Sequence, residues 1–121
     1  MRKMELLHFK GKEIYYFNFS NLRNEQEIFE IIVENNIYIH NQLPKSMIIL
    51  INVENLHFND QIKGMVTDFI KENKNYAKAN AIIGINGFKQ SVYFKKMRFS
   101  DGHIRTFDSA ELAKKWLVSL P

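Results

Sequence analysis

Met47, Ile48, Ile49, Leu50 and Ile51 follow one another without a polar residue, and Asn52 and Val53 complete the segment. A strand with one wet face alternates apolar and polar side chains, so an unbroken run is expected to be covered on both faces, near the centre of a sheet. A polar loop, 54–60, comes next. Ile62, Met65, Val66, Phe69 and Ile70 then recur at three- and four-residue steps, which places them on one helical face and leaves Lys63, Asp68 and Lys71 for solvent. Buried strand, loop and helix form the unit from which open α/β sheets are built. In such sheets the loop at the carboxyl end of the strand is the usual binding position.

The rest of the chain is expected to extend this unit in both directions. Strands over 4–9 and 13–19 are joined through Lys10, Gly11 and Lys12, a hairpin signal. Tyr15, Tyr16, Phe17 and Phe19 in the second strand read as core and sheet surface. A helix over 25–42 starts at Asn24 with Glu27 three residues on, the form of a capping box, and carries a broad apolar stripe of Ile28, Phe29, Ile31, Ile32 and Val33 continued by Ile37 and Tyr38. Pro44 ends it and biases Leu43 towards an extended conformation.

Beyond the polar break at 73–75, a strand over 79–85 runs into Asn86 and Gly87, with Asn86 as cap of a helix over 88–98. That helix is expected to bury Phe88, Val92 and Met97 and to show Lys89, Lys95 and Lys96. A turn at Asp101 and Gly102 and a strand over 103–107 follow. Asp108 with Glu111 then opens a last helix that carries Leu112, Ala113, Trp116, Leu117 and Leu120 on one face. Helices and strands in alternation imply an α/β fold, a mixed, mostly parallel sheet with an N-terminal β-hairpin, right-handed crossovers and about four helices. With no repeat or linker to divide it, residues 1–121 are read as a single domain.

The chain has no cysteine, which excludes disulfides and thiolate metal or redox chemistry and suits a reducing, cytoplasmic setting. The amino terminus lacks the continuous apolar stretch of a signal peptide. No run approaches the ~20 residues needed to span a bilayer. The net charge of +4 invites a nucleic-acid reading, but the lysines are dispersed among acidic residues and only 89–105 is locally basic, which argues against one. His8, His40, His57 and His103 include no helical metal-binding pair, and no serine lies in a nucleophile elbow, so neither a metal nor a cofactor is expected. His57 with Glu54 and Asp60 is the one loop group with an acid and a base close in sequence, and such residues are mostly caps and solvated side chains. The Asn86-Gly87 turn has the amide-rich form of a helix start that can hold an anion, without the spacing of a Walker loop or a dinucleotide fingerprint.

Three segments carry a resemblance: INVENLHFNDQIKGMVTDF, then ENKNYAKANAIIGINGFKQ, then IRTFDSAELAKKWL. Together they resemble the bacterial SpoIIAA-like (STAS-like) domains, in which a buried strand turns into an Asn- or Asp-headed helix. The matching positions are Asn52, Phe58, Asn59, Tyr76, Lys78, Ala79, Gly84, Gly87, Phe107, Asp108, Ala113, Trp116 and Leu117. The resemblance implies the STAS fold and a regulatory or protein-interaction role without catalysis. Anti-sigma factor antagonists of this family bind a partner kinase and are switched by phosphorylation of a serine at the start of the helix after the central strand. Here that start is Asp60, Gln61 and Ile62, none with a hydroxyl, and the nearest one is on Thr67. Other relatives of the fold resemble CRAL-TRIO domains and hold apolar ligands beside the sheet.

The reading that follows is a non-enzymatic interaction module. It presents Glu54, Asn55, His57, Asn59 and Asp60 together with Asn86, Gly87 and Phe88 to a protein partner. The alternative is a carrier of a small apolar, lipid-like, or anionic ligand. Pairing into a homodimer stays open in either case.

Overall fold

The computed structural model describes residues 4–100 and 103–121, with the side chains at 88, 89 and 98–100 outside that description. The expected turn at Asp101 and Gly102 lies outside the described residues, as do the expected burial of Phe88 and exposure of Lys89. The elements run β1 (Glu5–Phe9), β2 (Lys12–Asn18), α1 (Glu25–His40), β3 (Met47–Asn52), α2 (Asp60–Glu72), β4 (Ala77–Ile83), α3 (Phe88–Ser100), β5 (Ile104–Phe107) and α4 (Ala110–Ser119). None of the described helices is long and apolar enough to cross a membrane.

The strands lie side by side in chain order, β1 antiparallel to β2 and β2 to β5 all parallel. Lys10 and Gly11 both have positive φ, 49° and 80°, and so form the tight primed turn that matches the twist of a hairpin. β3 is the middle strand, and residues 47–51 are buried as their unbroken apolar run requires.

Each crossover steps to the next strand in the same direction, and right-handed crossovers of one direction deposit their helices on one face. Accordingly Ile28, Ile31 and Ile39 of α1, Ile62, Val66, Phe69 and Ile70 of α2 and Phe94 of α3 share a core with Phe17, Phe19, Ile49, Ile51, Ile82 and Ile104. Phe69 meets the edges of Phe17 and Phe19 at 5.0 and 5.7 Å. Among the described residues α4 alone covers the other face, setting Ala113 and Leu117 against Ile14, Leu50, Ala79, Ala81 and Ile83. The small alanines of β4 let that helix approach closely.

Several details depart from expectation. β4 ends at Ile83 rather than 85, because Gly84 leaves the strand with φ of 83°. In α1 the buried side chains are Ile28, Ile31, Asn35 and Ile39, while Phe29, Val33 and Ile37 are exposed. One helix lying on a sheet touches it along a single stripe narrower than the apolar face that the sequence offers. Asn24 caps α1 through the Gln26 amide at 2.8 Å. Ser109, not Asp108, caps α4, accepting from the Leu112 amide at 3.2 Å, and Leu112 itself is exposed. In α3 Phe94 is fully buried and Val92 and Met97 only partly so. Trp116 is half-buried, with Phe107 at 5.5 Å and the Arg105 guanidinium over its ring.

Candidate functional site

The carboxyl ends of the four parallel strands define one rim of the sheet, and the segments after β2, β3 and β4 are laced together there. The Phe19 amide donates to the Asn52 carbonyl (2.9 Å), the Asn21 amide to the Glu54 carbonyl (2.8 Å) and the His57 amide to the Leu22 carbonyl (2.9 Å). Asn21 and Asn55 both adopt left-handed backbone, φ 62° and 54°, a conformation that asparagine tolerates better than most residues. Their side chains join, Asn55 Nδ2 donating to Asn21 Oδ1 at 2.9 Å. Asn52 shapes the start of the loop, its Oδ1 accepting from the Glu54 amide (2.9 Å) while its Nδ2 donates to Tyr16 Oη (2.9 Å).

On the β4 side the Val53 amide donates to the Ile83 carbonyl at 3.0 Å, and Gly84 then lies against the Glu54 backbone. A Cβ at Gly84 would stand 2.5 Å from the Glu54 nitrogen, closer than any side chain permits. Gly84, not Gly87, is the glycine that approaches another stretch of backbone closely. Gly87, with φ of 84°, has nothing within 4 Å of a notional Cβ and serves turn geometry.

Of the residues singled out in this loop, Glu54, Asn55, His57 and Asp60 are exposed and Asn59 is half-buried. Asn59 is the N-cap of α2, its Oδ1 accepting from the Ile62 amide at 2.8 Å and its Nδ2 donating to Glu25 Oε1 at 3.2 Å. Gln61, with its amide oriented to donate, reaches the same Glu25 carboxylate at 2.6 Å. Asp60 pairs with Lys63 at 3.6 Å, and among the described residues neither Glu54 nor Asp60 pairs with His57. The acid and base of the loop therefore do not converge as a catalytic pair would.

Asn86 and Gly87 are exposed on the next segment, and the side chain of Phe88 is outside the described residues. Asn86 does not hold the expected cap position. The Ser91 amide donates to the Gly87 carbonyl, so Gly87 is the first residue of the helical ladder, and the Asn86 amide is held by Gln90 Oε1 at 3.0 Å. Between this turn, α3 and β5 lies a cleft of about 420 Å³ lined by Gly84, Ile85, Gly87, Ser91, Lys95, Thr106, Phe107 and Asp108. Below the loop, Phe58 packs on Tyr93 (5.3 Å) and Phe94 (6.0 Å), and Tyr93 Oη donates to the Lys63 carbonyl. Burial, with the Asp68 carboxylate adding to it, pushes the Tyr93 hydroxyl up to about 12.

Asn21, Leu22 and Glu25 were not among the residues picked from sequence, although they hold the loop in place. The available signal was positional. β2 is itself a parallel strand ending at this rim, so the polar stretch 20–24 is as much a rim loop as 54–60.

No known family model matches the chain, and no curated protein sequence does. Its backbone does match a solved structure, an anti-sigma-factor antagonist (STAS) domain protein from Planctomyces limnophilus. The match covers 94% of this chain and 97% of that one, with a TM-score of 0.59 at 13% sequence identity. The chain has the STAS (SpoIIAA-like) fold that the three sequence segments resemble.

Proposed function

We propose that the chain is a non-enzymatic regulatory module that recognises a protein partner through the rim loop 54–61. The carrying observation is that Glu54, Asn55, His57 and Asp60 stand exposed on a loop whose backbone is tied to the segments on both sides. A loop already held in one shape loses little conformational freedom on binding, which favours recognition. The description of the Planctomyces limnophilus protein as an anti-sigma-factor antagonist supports a regulatory role. The switch differs, because the start of α2 is Asp60, Gln61 and Ile62 and the Thr67 hydroxyl is engaged by the Lys63 carbonyl at 2.7 Å. Binding here is set by the presence of the partner, not by a phosphate at the helix start.

The test is the variant Glu54→Ala, His57→Ala, Asp60→Ala. All three side chains are exposed, so stability should stay within about 0.5 kcal/mol of wild type. Quantitative affinity capture from the native host should lose the proteins retained by wild type. Undiminished recovery of the same proteins would place recognition on another surface.

The cleft favours a second reading, a carrier of a small ligand. Its volume lies within the range of small-molecule sites, and Ser91, Lys95 and Thr106 offer donors to a small anion, set against the Asp108 carboxylate at the same cleft. Inorganic phosphate should then raise the melting temperature of wild type but not of Lys95→Gln. Equal shifts in both would remove this reading.

A further inference from the structure

The outer face of α1 carries a large apolar surface with a sign of charge opposite to that of the chain. Phe29, Val33 and Ile37 stand at four-residue steps along it and are 51, 46 and 73% exposed. Beside them Glu27, Glu30 and Glu34 follow at helical spacing, and among the described residues none of the three is in an ion pair. Residues 24–44 hold four of the thirteen Asp and Glu and none of the seventeen Lys and Arg, in a chain of net charge +4. Folding does not require the apolar row, since α1 is anchored by Ile28, Ile31 and Ile39 on its opposite side, and of the three carboxylates only Glu27 lies in the first turn, where it favours the helix start.

The geometry points to this face as a docking surface for a basic amphipathic helix of a partner protein. Such a helix would lay its apolar stripe along Phe29, Val33 and Ile37 and set Lys or Arg against Glu27, Glu30 and Glu34. A second copy of this chain fits less well: residues 24–44 carry no Lys or Arg, so a two-fold contact through Val33 offers neither carboxylate row a cation from the facing helix. An anionic membrane surface is repelled by the same row. The apolar row begins one turn beyond Glu25, which braces the rim loop, but the surface uses none of the exposed rim residues and does not rest on the role proposed there.

The probe is a synthetic peptide of leucine and lysine at helical spacing, compared with a peptide of the same composition whose leucines are scrambled out of register. Both are titrated by fluorescence anisotropy against the full chain. The amphipathic peptide should bind at least tenfold more tightly than the scrambled one. Phe29→Ser with Ile37→Ser should weaken it tenfold or more, as should Glu27→Lys, Glu30→Lys, Glu34→Lys, and raised salt should act in the same direction. Glu54→Ala with Asp60→Ala should leave it unchanged, which separates failure here from failure at the rim. Equal binding of the two peptides, or indifference to the α1 variants in chains whose melts match wild type, would overturn the proposal. So would a wild-type dimer in sedimentation equilibrium that Ile37→Lys disperses, which would assign the face to self-association.

Discussion

A methyl group at Gly84 would have to occupy the space 2.5 to 2.7 Å from the nitrogen, Cα and Cβ of Glu54, on backbone of φ 83°. Left-handed backbone costs a residue with a side chain roughly 1–2 kcal/mol, and forcing a side chain into a packed site typically adds about 1–3. Gly84→Ala should therefore lower the unfolding free energy by about 3 kcal/mol, mostly by pushing the rim loop off β4. Gly64 provides the contrast. It lies inside α2 with nothing within 4 Å of its notional Cβ and no positive φ, so Gly64→Ala should stabilise by about 0.5–1 kcal/mol. Paired urea melts check both signs at once, and equal midpoints for the two variants would contradict the packing described at Gly84. The difference between the glycines was hidden in the sequence. Gly84 and Gly87 both follow an apolar strand, and only the position of Glu54, thirty residues away, tells which of them is pressed against backbone.

Among the elements, α2 shows how far local chemistry carries. Its apolar spacing marked the buried face of Ile62, Val66, Phe69 and Ile70, and its cap stands at Asn59. Asn59→Ala removes both the cap to the Ile62 amide and the bond to Glu25, and should cost about 1 kcal/mol. A thermal melt with amide exchange should show the loss concentrated in the first turn of α2, and an unchanged midpoint would mean that the cap contributes nothing. The central strand was equally legible, because a run of five apolar residues has one comfortable place in an α/β sheet. α1 was legible as a helix but not in its orientation. Periodicity gives the width of an apolar face, whereas the strip that is covered depends on how a helix seats against its sheet, and Phe29, Val33 and Ile37 fell outside that strip. The rim was half legible. Its β3 loop followed from strand order, but the bracing by Asn21, Leu22 and Glu25 needs the parallel pairing of β2 with β3, which no local pattern encodes.

For the whole molecule, Tyr15 and Tyr93 set a limit at alkaline pH. Burial pushes both hydroxyls up to about 12, with the neighbouring Tyr38 adding to it at Tyr15 and Asp68 at Tyr93. In the unfolded chain tyrosine ionises near ~10, so the unfolded state releases these protons first. The stabilisation is complete below pH 10 and is lost as pH rises towards 12. Urea midpoints should fall between pH 10 and 12, and Tyr93→Phe should flatten the fall; parallel losses in variant and wild type would show that Tyr93 is not responsible. The strand order bears on how the fold is reached during synthesis. Because every strand pairs with its predecessor, the sheet can grow behind the advancing chain, and α1, α2 and α3 close one face as it grows. The other face has no helix until residues 110–119 have been made. At ~5–20 residues per second, the nascent protein exposes Ile14, Leu50 and Ile83 for on the order of a second after its last strand is complete, the interval in which a chaperone holding that face would have the greatest effect on yield.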